Sequence, residues 1–271
     1  MTEDLSAQPR RRFVAGFVNT VQFQGRLTFS RRDIAAAHGP TGEALEKALH
    51  RMRTAGRIQR VSRKSDFFVI VPPEFQALGA PPVEWWLDDA MKHLSLPYYV
   101  GLLTAAQWHG SSHFAVMETQ VVVPANRRPL AVGRILIRFF AAAHVAAAPV
   151  ETRTNTWSSV RVSTPATTLL DLIGHQTVGM DRLAMIAADL APRISAEGLS
   201  AALGVLRSVP CAQRLGFVLE HVGAEALADI VAAWIDDKPR RAVDLEPGAG
   251  SPWHIARRWQ VRVNARLEAA A

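Results

Sequence analysis

The side chains best suited to chemistry are few and lie far apart in the sequence. His109 and His113 have the i, i+4 spacing that places two imidazoles on one face of a helix, as in zinc sites. Gly110 interrupts that helix, and no third ligand stands nearby in the sequence. We therefore interpret both histidines as helix-end residues and expect neither a metal nor a cofactor.

Acidic residues give an equally weak signal for an enzyme. Glu118 and Gln120, at the start of a predicted strand, resemble half of the carboxylate and lysine motif with which restriction-type nucleases hold magnesium. Gln replaces the lysine and no Pro-Asp partner stands upstream, so a restriction-like nuclease stays an alternative. Asp171 lies among apolar residues, where a carboxylate usually serves packing. Phosphate loops, nucleophile elbows and kinase signatures are absent from the sequence, and we expect no enzymatic activity.

Positive charge is concentrated at the N-terminal end. Residues 1–75 contain 13 Lys or Arg and 7 Asp or Glu, a net charge of +6 out of +7 for all 271 residues. Seven of these cations lie in EKALHRMRTAGRIQRVSRKS, residues 46–65. So uneven a distribution indicates a polyanionic partner, whereas the other interpretation is a solvated surface.

The elements that would position these cations follow from periodicity. Apolar spacing predicts helices at 12–23, 31–37 and from Thr41 to about Gly56, the second capped by a Ser30 and Asp33 capping box. RIQRV and FFVIV then predict two strands around a basic turn. Three helices followed by a hairpin form the order of a winged helix-turn-helix domain, which we place at 1–75.

This arrangement predicts which side chains meet DNA. The third helix buries Leu45, Ala48, Leu49 and Met52 and turns its other side to the major groove, while the hairpin contacts phosphates. The predicted DNA-binding residues are Arg12, Arg31, Arg32, Thr41, Lys47, His50, Arg51, Thr54, Arg60, Arg63 and Lys64. Winged helices also dock proteins, so a protein-interaction module stays an alternative.

A second domain of a different kind is expected beyond a linker at 76–92, which contains Gly79, Pro81 and Pro82. Strand patterns such as TQVVVP and GRILIRFF precede a series of helices between 181 and 236, so the segment 93–271 reads as a mixed α/β domain and the chain as α+β. Alternation in GRILIRFF places Arg134 and Arg138 on one face. With Arg127 and Arg128, they form a possible secondary basic surface or a solvated sheet face.

The segments YYVGLLTAAQWHG, TQVVVP, VRVSTPATTLLDLI, AQRLGFVLEHVG and WQVRVNARLE, in this order behind a winged helix, resemble the AbiEi-type antitoxins of type IV toxin–antitoxin systems, which occur in abortive phage infection loci. The resemblance covers most of the chain from Arg12 onward. It implies an autorepressor that binds inverted repeats in its promoter, with a C-terminal antitoxin domain that counteracts a nucleotidyltransferase-like toxin. Direct and indirect neutralisation both stay open.

The remaining sequence features indicate the compartment in which we expect the protein. No apolar run reaches the roughly 20 residues that span a bilayer, and the first residues are polar. The single cysteine, Cys211, excludes an intramolecular disulfide and a cysteine zinc site. We expect a cytoplasmic protein whose partners are double-stranded promoter DNA and a toxin, with no membrane partner.

Overall fold

The structure, a computed structural model, describes residues 8–62, 65–111 and 116–267. These residues form a mixed α+β protein with ten α-helices and three β-sheets, which confirms the predicted α+β class. Contacts divide the chain into two units. The first extends through Pro97 and includes Arg128–Arg138 and Thr152–Val160, and the second comprises Tyr98–Arg127, Phe139–Glu151 and the chain from Arg161.

The first unit begins with helices and a small sheet. Its helices and strands up to Pro97, in chain order, are α1 (Gln8–Phe23), β1 (Thr28–Ser30), α2 (Arg31–Ala36), α3 (Gly42–Thr54), β2 (Ile58–Arg60), β3 (Phe67–Ile70) and α4 (Leu87–His93). The strands form an antiparallel sheet in the order β1-β3-β2, in which Phe29 pairs with Phe68 and Gln59 with Val69. The sheet therefore contains a strand, β1, in addition to the predicted hairpin.

Local sequence accounts for the boundaries of α2 and α3. Ser30 caps α2 through a complete capping box with Asp33, as predicted. Thr41 occupies the N-cap of α3, but its side chain makes no capping hydrogen bond. Gly56 follows α3 with a φ of 66°, which glycine adopts at low cost.

One apolar core holds these elements together. The predicted stripe on α3, Leu45, Ala48, Leu49 and Met52, is buried together with Ile34 and residues of α1 and the sheet. Phe29 stacks on Phe68 with ring centroids 5.2 Å apart, and Phe17 of α1 meets Phe29 edge-on. The opposite side of α3 is left exposed because only this stripe packs on the core.

Residues 76–92, for which we expect a linker, fall within the first unit. Pro81 and Pro82 precede a short 3-10 turn, Val83–Trp85, and α4 follows. Trp86 is fully buried and donates its indole N–H to the carbonyl of Pro81 at 3.0 Å. A buried, hydrogen-bonded tryptophan fixes the segment in place, which proline content alone does not reveal.

The largest sheet has six strands in the order β6-β7-β5-β4-β9-β8. They are β4 (Tyr99–Val100), β5 (Thr119–Val123), β6 (Leu130–Val132), β7 (Ile135–Ala141), β8 (Val150–Thr154) and β9 (Ser159–Ser163). β4 pairs parallel with β9 and antiparallel with β5. All five residues of β5 are buried, which is typical of a strand covered on both faces.

Among the described residues, six α-helices belong to the second unit. They are α5 (Leu102–Trp108), α6 (Pro165–His175), α7 (Met180–Leu190), α8 (Ala196–Leu206), α9 (Val209–His221) and α10 (Glu225–Ile235). Thr164 caps α6, and its hydroxyl accepts a hydrogen bond from the N–H of Thr167. Apolar residues of all six helices share one core with Trp259 and Val261.

A third sheet closes the described chain, with the strand order β10-β12-β11. Its strands are β10 (Val243–Asp244), β11 (His254–Ala256) and β12 (Val261–Val263). β12 lies within the segment WQVRVNARLE. None of the helices in the described part of the chain is long and apolar enough to cross a bilayer.

Candidate nucleic-acid interface

The solvent side of α3 carries the polar residues that the helical period predicts. Lys47, His50, Arg51 and Thr54 are all exposed. The Lys47 ammonium lies 2.7 Å from the carboxylate of Glu43, one turn earlier on the same helix. That pair is exposed and therefore weak, so a phosphate can replace Glu43 as the partner of Lys47. Arg51 is an exposed guanidinium on the same side, suited to bidentate contact with a guanine edge.

A second set of charges joins α2, α3 and the hairpin. Arg31 forms a two-point ion pair with Glu46, in which Nη2 lies 3.0 Å from Oε2 and Nη1 contacts Oε1. The hydrogen bond from Arg31 holds the pKa of Glu46 below its ordinary value, and the charges of Arg31 and Arg60 act in the same direction. Glu46 therefore stays ionised and orders Arg31, while Arg32 is exposed.

Arg60 differs from the exposed cations because it lies partly within the sheet. Its guanidinium carbon is 5.4 Å from the ring centroid of Phe68. Burial lowers its pKa, and the charges of Arg53 and Arg31 lower it further. Since an arginine stays protonated in proteins, Arg60 is a partly buried cation with Arg31, Arg53 and the Glu46 carboxylate nearby.

Sequence reasoning missed three contributors to this charge set. Glu46 and Arg53 are seven residues apart, so they lie on one face of α3. This spacing could have indicated from the sequence that both belong to the same charged surface. Arg57 donates to Asn19 of α1 at 2.5 Å, a contact between distant segments that has no local signature. The structure thus divides the cations into exposed residues on α3 and a paired group beside the hairpin.

Several predicted residues cannot be placed. Arg63 and Lys64 lie outside the described residues, and the side chain of Arg12 is not described, although its backbone belongs to α1. Thr41 is exposed at the start of α3. DNA contact by any of the predicted residues stays a prediction.

The possible secondary basic surface is exposed at each of its positions. Arg127, Arg128, Arg134 and Arg138 all face solvent, and the contact division assigns Arg127 to the second unit and the other three to the first. Along β7, Arg138 and Leu136 are exposed while Ile137 is buried, which matches the predicted alternation. A solvated sheet face explains this pattern equally well, so the exposure does not assign a function.

The residues considered for catalysis have structural partners. His109 is buried, with Nε2 2.7 Å from the carbonyl oxygen of Ser163, and His113 lies outside the described residues. The amide oxygen of Gln120 accepts a hydrogen bond from the N–H of Leu103. Across residues 8–62, 65–111 and 116–267, no three His, Cys, Asp or Glu residues are grouped as a metal site.

Asp171 belongs to a buried polar network in the second unit. Its carboxylate accepts a hydrogen bond from the Tyr99 hydroxyl at 2.8 Å and lies 3.4 Å from Nε2 of His144. Burial and the charge of Asp171 raise the pKa of Tyr99, so the phenol stays a proton donor. Burial lowers the pKa of His175, which lies close enough for the charges of Asp171 and His144 to act on it. The network therefore satisfies a buried carboxylate.

Comparisons with known proteins concern the chain as a whole. The crystal structure of RV2827C protein from Mycobacterium tuberculosis is similar, with a TM-score of 0.65 over 92% of this chain and 90% of that chain, at 15% sequence identity. At that identity the likeness concerns the fold alone. A search of curated proteins gives no match.

The model of the AbiEi antitoxin C-terminal domain matches residues 99–221. The matched range contains TQVVVP and VRVSTPATTLLDLI and nearly all of two other segments that carried the resemblance, whereas WQVRVNARLE lies beyond it. It also contains Tyr99, His144 and Asp171. The predicted resemblance is therefore confirmed over this range: residues 99–221 match the C-terminal domain of the AbiEi-type antitoxins.

Proposed function

We propose that this protein is a sequence-specific DNA-binding autorepressor and the antitoxin of a type IV toxin–antitoxin system, counteracting a nucleotidyltransferase-like toxin. The antitoxin role is supported by the matched C-terminal domain, and such a domain implies a toxin partner. The repressor role and the nature of the toxin extend what the sequence resemblance implies.

The observation that carries DNA binding is the exposed cationic side of α3. The order α1-β1-α2-α3-β2-β3, with antiparallel β1-β3-β2, is consistent with a winged helix-turn-helix domain. In such a domain α3 enters the major groove, and Lys47 and Arg51 lie on the side turned away from the core. Arg31, Arg32 and Arg60 would then contact phosphates, as would Arg63 and Lys64.

Salt dependence provides the test of this proposal. A labelled duplex from the promoter of the protein's own operon is titrated with the full chain, beside a scrambled duplex, at several salt concentrations. Neutralisation of about six phosphates predicts a loss of affinity of about 10³-fold between about 50 and 200 mM salt, with the promoter duplex preferred throughout. Equal, weak binding of both duplexes at physiological salt would refute the repressor function.

A second candidate, neutralisation by direct binding of the toxin, is favoured by a different observation. Trp253 is 61% exposed and Ile255 on the edge strand β11 is 49% exposed, and large apolar side chains of this kind are common at protein interfaces. Co-expression with the product of the adjacent gene, followed by size-exclusion chromatography, distinguishes the two modes. A stable complex that Trp253→Ser abolishes would support direct neutralisation.

A further inference from the structure

Helix α4 holds a histidine against the β2–β3 hairpin. The Nε2 of His93 lies 2.8 Å from Oδ1 of Asp66, immediately before β3. The imidazole also stacks on the ring of Phe67, with centroids 4.6 Å apart and planes inclined by 22°. Phe67 is buried, and the main-chain oxygen of Asp66 accepts a hydrogen bond from the N–H of Arg31 at 3.0 Å. His93 therefore touches the hairpin next to its turn and beside the start of α2.

The charges around His93 identify Asp66 as its counterpart. On α4 itself, Asp88 pairs with Lys92 at 2.6 Å, and Asp89 accepts a hydrogen bond from the Thr28 hydroxyl at 2.6 Å. Both carboxylates of α4 are thus engaged elsewhere. Among the described residues, His93 is the side chain that forms an ion pair with the Asp66 carboxylate, which remains 40% exposed.

We propose that His93 is a positioning residue of the DNA-binding module and that protonation of the His93–Asp66 pair strengthens duplex binding. The inference rests on the proposed function. Asp66 is a partly exposed anion on the hairpin that would contact phosphates. When His93 is neutral, the Asp66 carboxylate repels the phosphates and the pair loses its charge attraction; when His93 is an imidazolium, the pair is neutral and the hairpin is held.

The sign of the pH effect follows from this arrangement. DNA binds better to the form in which His93 carries a proton. The DNA complex therefore holds this proton more tightly than the free protein does. Affinity should therefore rise as the pH falls. His38 and His50 are exposed in the same unit, so the informative quantity is the difference between proteins with and without His93.

The first test compares the wild-type chain with His93→Gln. Fluorescence anisotropy with the promoter duplex is recorded from about pH 5.5 to 8.5 at constant ionic strength. On acidification, we expect the affinity of the wild type to increase about two- to fivefold more than the affinity of His93→Gln. The effect is small because a single, partly exposed ion pair contributes little free energy. His221→Gln, which changes an exposed histidine on α9, is the matched control and should follow the wild type.

Asp66→Asn provides the second test, because it removes the repelling carboxylate and keeps the main-chain acceptor for Arg31. We expect this variant to bind at high pH as tightly as the wild type does at low pH, and a further His93→Gln change to have no additional effect on the pH profile. Coinciding profiles of wild type and His93→Gln would overturn the inference, as would weak binding by Asp66→Asn at every pH. Absence of any promoter preference in the wild type would instead refute the proposed function itself.

Discussion

Asp171 illustrates how a carboxylate in an apolar segment is stabilised without serving as a catalyst. Its partners Tyr99 and His144 come from segments 72 and 27 residues away in sequence, and only Tyr99 lies in a stretch that the sequence singled out. Interpreting Asp171 as a packing residue with satisfied hydrogen bonds agrees with this geometry. A buried hydrogen bond to a charged acceptor contributes more to stability than a neutral one.

Replacing Asp171 should therefore destabilise the second unit. We expect Asp171→Ala to lower the free energy of unfolding by about 1 to 3 kcal/mol, because the buried Tyr99 hydroxyl loses its charged acceptor. Denaturant unfolding followed by circular dichroism measures the change. Asp236→Ala, at an exposed site at the end of α10, should shift stability by less than about 0.5 kcal/mol, and an equal effect of both changes would contradict the assignment.

His175 makes the stability of the same region depend on pH. Its pKa in the folded protein lies below the ordinary value of 6.5 because burial disfavours the imidazolium, an effect that Asp171 opposes and His144 reinforces. The folded state thus binds this proton more weakly than the unfolded chain. The stabilisation is present above about pH 6.5 and is lost as the pH falls below it.

The corresponding measurement is the unfolding free energy between about pH 7 and 5. We expect His175→Gln to lose less stability across this interval than the wild type, because the proton uptake by the unfolded chain is removed. His254→Gln, which alters an exposed histidine on β11, should leave the pH dependence unchanged. If the unfolding free energy of His175→Gln depended on pH as steeply as that of the wild type, other groups would cause the acid sensitivity.

Among the helices, α9 approaches its neighbours so closely that one position must be glycine. A Cβ built on Gly216 would lie 2.0 Å from a ring carbon of Trp259, which is fully buried. In contrast, a Cβ on Gly204 of α8 would meet nothing within 4 Å. Both glycines lie inside helices, where glycine is less favourable than alanine. Substituting alanine at each site therefore distinguishes the effect of side-chain packing from that of helix propensity.

We expect the two glycine substitutions to have opposite signs. Gly216→Ala should destabilise by about 1 to 3 kcal/mol because Trp259 must move out of its packed position. Gly204→Ala should stabilise by about 0.5 to 1 kcal/mol through helix propensity alone. Thermal and denaturant unfolding of the two variants measures the difference, and stabilisation by both would mean that α9 and Trp259 are not packed as described.

Elements whose signals lie within a few residues could be predicted from sequence. The capping box at Ser30, the buried stripe of α3 and the alternation along β7 all follow from local spacing, and the structure contains each of them. The burial of Trp86, inside the segment 76–92, depends on packing that no local pattern encodes. The domain division given for the sequence stays a prediction.

In the candidate interface, too, sequence predicted the features that depend on local spacing but not the contacts between distant segments. Helical period alone placed Lys47, His50 and Arg51 on the solvent side of α3. The pairing of Arg31 with Glu46 and the contact of His93 with Asp66 join residues 15 and 27 positions apart in different elements, so no spacing rule identifies them. These contacts occupy charges that local spacing alone would leave exposed to solvent.

For the complete chain, the proposed functions depend on separate sets of residues. The exposed cations Lys47 and Arg51 belong to α3 in the first unit, whereas the antitoxin match begins at residue 99. If the toxin is counteracted by the matched domain, DNA binding and growth rescue should be separable by substitutions in the intact protein. Lys47→Ala combined with Arg51→Ala is suited to this purpose because neither residue contributes to the core.

We expect this double variant to bind the promoter duplex at least about tenfold more weakly, since each lost base contact costs about 1 to 3 kcal/mol. It should still rescue growth when it and the toxin are expressed from an unrelated promoter, where autorepression has no role. Arg240→Ala with Arg241→Ala removes two exposed cations from the second unit and should leave promoter binding intact. Loss of rescue by the Lys47 and Arg51 variant, at an unchanged protein level, would mean that the same surface serves both functions.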